Sequence, residues 1–268
     1  MASSITCSAL VVAALFITAC DNPADSMKQT QEKAVVVGVA ETPPVIDPQL
    51  AAEGQRLYEQ NCFFCQQADA IGKPGMAPSL TNKEFLSVAS NRFLLGTIQD
   101  GRHGTGMPSY AHLGEKNILA IIAYLRDHAV LTDRSAAVDA QPEAHGDPRL
   151  GKIWFDQVCL TCHGTNGDGY SAGGTGTAIG KAGFLSKASD GFIRTTIKEG
   201  RSNTRMLGFY GAGPETMADL SEREIDDIIA CLRTVMKRLP MRSWKAATQS
   251  STTKPRIGCM CKKPLWQP

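Results

Sequence analysis

Cys159-Leu160-Thr161-Cys162-His163 sets two thiols three positions apart with an imidazole on the next residue. Thiols at that spacing share one helical turn, so both can form thioethers with the two vinyl groups at one edge of a porphyrin. The histidine that follows then projects under the iron as an axial ligand. This is the attachment signature of c-type haem. A zinc site would need a second pair of ligands at similar spacing, and the sequence holds no such Cys/His pair nearby.

The arrangement occurs a second time in broken form. Cys62-Phe63-Phe64-Cys65 is followed by Gln66 where the imidazole should stand. The flanks show a repeat. Gly54 precedes Cys62 by the same eight positions that separate Gly151 from Cys159. The run Thr97 to Arg102 parallels Thr196 to Arg201, and Met107 answers Met206. Ile118, Ile121, Ile122 and Leu125 match Ile225, Ile228, Ile229 and Leu232.

The elements that must position these groups are helices. Asp47-Pro48 and Asp147-Pro148 each offer an N-cap acceptor and a proline at the first helical position. Each helix they open leads into a cysteine pair. A middle helix ends at Gly101 in one copy and Gly200 in the other, where glycine suits a left-handed C′ residue. Ser221 and Glu224 form a capping box behind Leu220, and the apolar stripe that follows has helical period. No segment alternates with period two, so the fold is expected to be all-α.

The 268 residues carry a net charge of only +2, against the strongly basic footprint of nucleic-acid binding. At 43% hydrophobic residues each copy can form a core, although a module of about 80 residues makes a small one. A bound haem would add to it. Leu10 to Ala19 is short and apolar like the hydrophobic region of a secretory signal. Ile17-Thr18-Ala19-Cys20 resembles a bacterial lipobox, which makes Cys20 the expected lipidated first residue. The alternative is an ordinary signal peptide cut elsewhere. After Asp227 no acidic residue remains, and the basic, Ser/Thr/Pro-containing tail reads as disordered. The expected organisation is a signal at 1–19, a tether at 20–46, modules at 47–130 and 147–236 joined by a linker at 131–146, and the tail at 237–268.

Each module resembles the class I cytochrome c domain, through the cysteine pair, the glycine crossing position at Gly54 or Gly151, the Gly-Arg-x-x-Thr-x-Met run and the amphipathic last helix. The resemblance implies two tandem cytochrome c-like domains. It makes Met206 the second axial ligand opposite His163, with Met217 as a competitor, and Met107 the counterpart in module one. Pro78 stands where that family offers a carbonyl to the proximal imidazole; module two has no such proline, so another carbonyl must serve. Cys231 replaces Tyr124. None of His103, His112, His128 and His145 is expected to stand in for Gln66, with His128 and His145 read as solvated. One haem c per chain is therefore expected, on Cys159 and Cys162. The alternatives at Cys62 and Cys65 are an unusually ligated haem, or a dithiol or disulfide.

The function implied is one-electron transfer by a carrier, not an enzyme. It would be lipid-anchored on the periplasmic side of a bacterial membrane, with a redox protein as donor and another as acceptor and no nucleic acid. The alternatives are the cytochrome subunit of a periplasmic dehydrogenase or oxidase complex, and a haem sensor with open iron in module one. Arg194, Lys198, Arg201 and Arg205 form a candidate basic cluster for an acidic partner.

Overall fold

The structure is a computed structural model that describes residues 46–211 and 218–238, the last four by backbone alone. Cys20 and its flanks, Met217, Cys259, Cys261 and the tail from 239 onward lie outside the described residues. Among the described residues there are helices, one isolated bridge between Lys73 and Ala77, and no strands. None of the helices is long and apolar enough to cross a membrane.

Module one runs α1 (Pro48–Asn61), α2 (Phe63–Gln66), α3 (Lys83–Val88), α4 (Asn91–Asp100) and α5 (Glu115–Asp127). The start signals act as the sequence implies: the Asp47 carboxylate accepts the Gln49 amide at 2.9 Å, ahead of Pro48. Module two repeats the order with α7 (Pro148–Trp154), α8 (Leu160–His163), α9 (Ala182–Leu185), α10 (Asp190–Glu199) and α11 (Glu222–Arg238). Asp147 caps Arg149 at 2.8 Å. In the capping box Ser221 N donates to Glu224 at 2.8 Å, with Leu220 buried behind it.

In both modules the first helix crosses the last at a glycine. A Cβ on Gly54 would lie 1.9 Å from the Ala120 carbonyl oxygen, and one on Gly151 would lie 1.7 Å from that of Asp227. The backbones touch, which fixes how each cysteine pair approaches its terminal helix. Gly101 and Gly200 end the middle helices at φ +68° and +69°, but with extended ψ instead of the expected left-handed helical value.

A second repeated device is an arginine in each terminal helix. The Arg126 guanidinium donates to the carbonyls of Leu86 and Ala89 and to Asn91 Oδ1. Arg233 does the same to Leu185, Ala188 and Asp190. Each closes the corner between the two middle helices of its own module.

The modules meet through Phe85, Phe93, Phe184 and Phe192. Phe93 stacks on Phe192 with centroids 4.7 Å apart, and Phe85–Phe192 and Phe93–Phe184 meet edge-on at 6.4 and 6.3 Å. Polar contacts rim this cluster: Arg134–Glu199 at 2.7 Å, Lys187–Asp100 at 3.1 Å, and Glu84 accepting from Ser202 N and Oγ. The stretch at 131–146, expected as a linker, contains the short helix α6 (Ser135–Asp139), with Val138 buried. It bonds to both modules, through Arg134 N to Ser87 O at 2.7 Å and Ala144 N to Asp190 at 2.8 Å.

The crossings set the first prediction. Gly54→Ala or Gly151→Ala forces backbone apart from backbone and is expected to cost on the order of 3 kcal/mol. Gly106→Ala has no atom within 4 Å of the added carbon and should stay within about 0.5 kcal/mol. Urea unfolding of the three variants measures this.

Candidate haem sites

In module two the first helix does not run straight into the cysteine pair. Between Phe155 and Cys159 the turn widens, and the Leu160 amide bonds the Phe155 carbonyl five residues back. Module one keeps ordinary four-residue bonding there, Cys62 N to Tyr58 O at 2.7 Å. Widened turns of this kind recur at functional sites. Cys159, Cys162 and His163 then follow on a single turn. Neither Cys159 nor Cys162 is paired in a disulfide. Burial, with Cys231 nearby, pushes the Cys159 thiol up to about 12.

His163 is half-buried, with Nδ1 2.7 Å from the Thr177 carbonyl oxygen. A carbonyl only accepts, so Nδ1 carries the proton and the lone pair belongs to Nε2, the state a metal ligand needs. Burial, opposed by that hydrogen bond, holds the imidazole pKa below its ordinary value and favours the neutral ring. Thr177 is thus the carbonyl that takes the place of the missing proline. It also keeps repeat register with Pro78, as Met206 does with Met107. The glycines around it are a packing requirement. A Cβ on Gly176 would lie 2.7 Å from His163 Cε1, and one on Gly174 would lie 2.2 Å from the Cys162 carbonyl oxygen.

Met206 is half-buried against the core at the end of a tightly closed loop. Arg201 N donates to Met206 O at 2.7 Å. Thr204 Oγ1 accepts from Met206 N at 3.0 Å and donates to Arg201 O at 2.8 Å. Module one builds the same loop: Arg102 N to Met107 O at 3.1 Å, Met107 N to Thr105 Oγ1 at 3.2 Å, and Thr105 Oγ1 to Arg102 O at 2.7 Å. The Gly-Arg-x-x-Thr-x-Met run is therefore a hydrogen-bonded unit that presents a methionine.

At the broken site Gln66 ends α2, and its Oε1 is buried without a partner. Burial pushes the Cys62 thiol up to about 11. The backbone around this motif is tied down by three phenols. Tyr58 OH donates to Gln67 O at 2.7 Å, Tyr110 OH to Asn61 O at 2.9 Å and Tyr124 OH to Ala68 O at 3.4 Å. Phe155, Phe209 and Cys231 hold the matching places in module two and have no such hydroxyl.

Two expectations need correction. His128 is not a solvated residue: it is half-buried, with Nδ1 3.0 Å from Tyr124 O and its ring edge-on to Tyr124. His103, His112 and His145 are exposed. The basic cluster also dissolves on folding. Arg194 is buried on Asp226 at 2.8 Å, Lys198 pairs with Glu222 at 2.5 Å, and Arg201 turns into the module seam. Arg205 alone of the four is exposed. Among the described residues no group of three or more His, Cys, Asp or Glu side chains is placed to hold a metal ion.

The donor set of module two fits haem c: two thiols on one turn, a neutral imidazole with Nδ1 engaged, and a thioether on a bonded loop. Module one keeps the thiols and the methionine loop but offers an amide oxygen where the imidazole belongs.

Comparison with known proteins agrees with the repeat. Residues 49–125 match the family described as cytochrome c oxidase, cbb3-type, subunit III, and residues 149–236 match the cytochrome c family. The cbb3-type cytochrome c oxidase subunit CcoP of Rubrivivax gelatinosus is 30% identical over 158 residues, which are 59% of this chain and 48% of that protein. Subunit FixPc of Rhizobium leguminosarum is 30% identical over 103 residues, 38% of this chain and 35% of that one. The chain thus spans about half or less of the length of these relatives. The solved reducing HAO-like protein complex of Kuenenia stuttgartiensis overlaps with a TM-score of 0.42 at 18% identity, covering 69% of this chain and 96% of that one. At that score the overlap carries no functional weight.

Proposed function

The chain is a tandem c-type cytochrome with covalently bound haem c and a role in electron transport, and on that premise we propose that the working haem sits in module two, held by Cys159 and Cys162 and ligated by His163 and Met206. Haem c supplies one-electron exchange between ferric and ferrous iron. The observation that carries the assignment is His163, whose Nδ1 is committed to Thr177 O at 2.7 Å. That bond fixes the ring and leaves Nε2 for the metal. Met206 offers a soft neutral thioether that favours the reduced iron and raises the potential, on a loop that Thr204 and Arg201 hold in place. With His163 and Met206 both holding the iron, the bound haem would exchange electrons and leave no iron position for a substrate.

Module one, with Gln66, does not mature a normal haem. Its buried amide oxygen is a hard, weak donor toward haem iron, and the three phenols support the motif backbone without one. Thioether attachment belongs to the periplasmic side of a bacterial membrane, and Cys20 would tether the chain there. The relatives are named as subunits of cbb3-type cytochrome c oxidases, which gives a terminal oxidase assembly as the acceptor class.

Three measurements test this reading. Met206→Ala is expected to abolish the weak sulfur-to-iron charge-transfer band of the oxidised protein and to lower the potential. An unchanged band, with loss in Met217→Ala instead, would reassign the ligand. Denaturing haem quantification should find one covalent haem per chain in the natural sequence and two after Gln66→His, both made with the same maturation system. Two haems in the natural protein would instead give module one an unusually ligated iron, and carbon monoxide binding to the reduced protein would then reveal whether that iron is open. Finally, Cys20→Ser should prevent lipidation and release the protein from membranes, since several acyl chains anchor stably. A mature N-terminus other than Cys20, read by mass spectrometry, would exclude the anchor.

A further inference from the structure

Two guanidiniums lie in the seam between the modules, and among the described residues no carboxylate is in ion-pair contact with either. Arg102 of module one stands over the Phe184 ring of module two, 4.9 Å from its centroid. Arg201 of module two stands over Phe85 of module one at 4.8 Å and over its own Phe192 at 5.8 Å. Among the described residues neither forms an ion pair. Glu84, whose charge reaches Arg201, is occupied by Ser202 N at 3.1 Å, Ser202 Oγ at 2.9 Å and Lys83 at 3.7 Å. Burial pushes both guanidiniums down to about 10, and for Arg201 the charge of Arg102 adds to the effect. Both stay protonated at neutral pH, so like charges sit together in a partly desolvated seam.

The repeat sharpens this. In module two Arg201 Nη2 reaches its own Thr196 Oγ1 at 3.4 Å. In module one the matching pair is not made: Thr97 Oγ1 and Arg102 Nε are both buried and both without a partner. Arg102 instead faces module two. Its backbone packs where a Cβ on Gly183 would lie 2.9 Å from Arg102 Cα, and its charge reaches Tyr170, where it partly offsets the burial that raises the phenol pKa. An unpaired buried cation is costly until an anion meets it. A planar guanidinium fork matches a carboxylate in bidentate fashion, and haem c carries two carboxylates.

We propose that Arg102 and Arg201 form one seat, shared across the module seam, for the haem carboxylates, so that the module lacking the axial histidine contributes a binding residue to the haem of the other. This rests on module two carrying the haem. It gives module one a function that requires no haem of its own, and makes haem binding and module packing mutually dependent.

The test uses the full chain matured with haem, with haem content and midpoint potential measured on Arg102→Gln, Arg201→Gln and the double variant. Haem per chain should stay at the natural value in Arg102→Gln. Its potential should fall, because an uncompensated carboxylate favours ferric iron, so that the oxidised-to-reduced ratio at a fixed ambient potential rises several-fold. Arg102→Lys should recover most of that shift. The double variant should depart from the sum of the singles, as groups sharing one ligand do. A potential unchanged in Arg102→Gln but lowered in Arg201→Gln overturns the shared seat. If Arg102→Gln does not accumulate, Arg102→Lys decides, because it keeps the charge and loses the fork. The resonance Raman bending modes of the haem carboxylates should then move, and unmoved modes overturn the proposal. A natural protein without haem in module two fails the underlying assignment instead, and the haem count reports that separately.

Discussion

Everything in each module hangs on a crossing where no side chain fits. At Gly54 and Gly151 the first helix lies so close to the last that a β-carbon would overlap a carbonyl oxygen, at 1.9 and 1.7 Å. The cysteine pair begins eight residues beyond that point. The crossing therefore sets where the thiols emerge, and the arginine at the far end of the terminal helix sets where the middle helices turn. Between these two backbone-level constraints a core of fully buried isoleucines and leucines closes, and the methionine loop is delivered to the same core.

On this common frame the two modules solve one local problem differently. The loop after a cysteine pair has few apolar anchors and must be held by polar contacts. Module one holds it with the hydroxyls of Tyr58 and Tyr124, on Gln67 O and Ala68 O, while Tyr110 ties Asn61 just ahead of the pair. Module two gives up all three, through Phe155, Phe209 and Cys231, and holds its loop by glycines packed against the motif and by the bond between His163 and Thr177. The histidine proposed as the iron ligand is thus also part of the loop's own support. A glutamine at that position offers no such ring bond, and in module one the phenols support the motif backbone instead.

The seam joins the modules by a dry aromatic cluster with two guanidiniums resting on its faces. Stacking on aromatic rings lowers the cost of burying a guanidinium but does not neutralise it. Exposed pairs at the rim, such as Arg134–Glu199, contribute little individually. The phenylalanines therefore hold the modules together, while the arginines make the seam responsive to an anion.

Residue types and spacing alone determined the two-module repeat, the all-α class, the attachment motif, the glycine crossings, the proline-led helix starts and the capping box, because each is a local rule read within a few residues. The Gly-Arg-x-x-Thr-x-Met run was visible as a pattern, although the role of its threonine, which bonds the methionine amide and the arginine carbonyl, was not. Only the tertiary structure decided that Thr177 serves His163, because a carbonyl has no side-chain signature and its partner lies 14 residues away across a loop. It likewise decided that Arg194 and Lys198 are spent on Asp226 and Glu222, that His128 is engaged, and that Arg126 and Arg233 close their modules. The last of these had a signal in the repeat, a basic residue directly after each matched Ile/Leu stripe. Whether a charge steers a partner or stabilises a corner depends on which remote acid or carbonyl folding brings beside it, and no spacing along one chain records that distance.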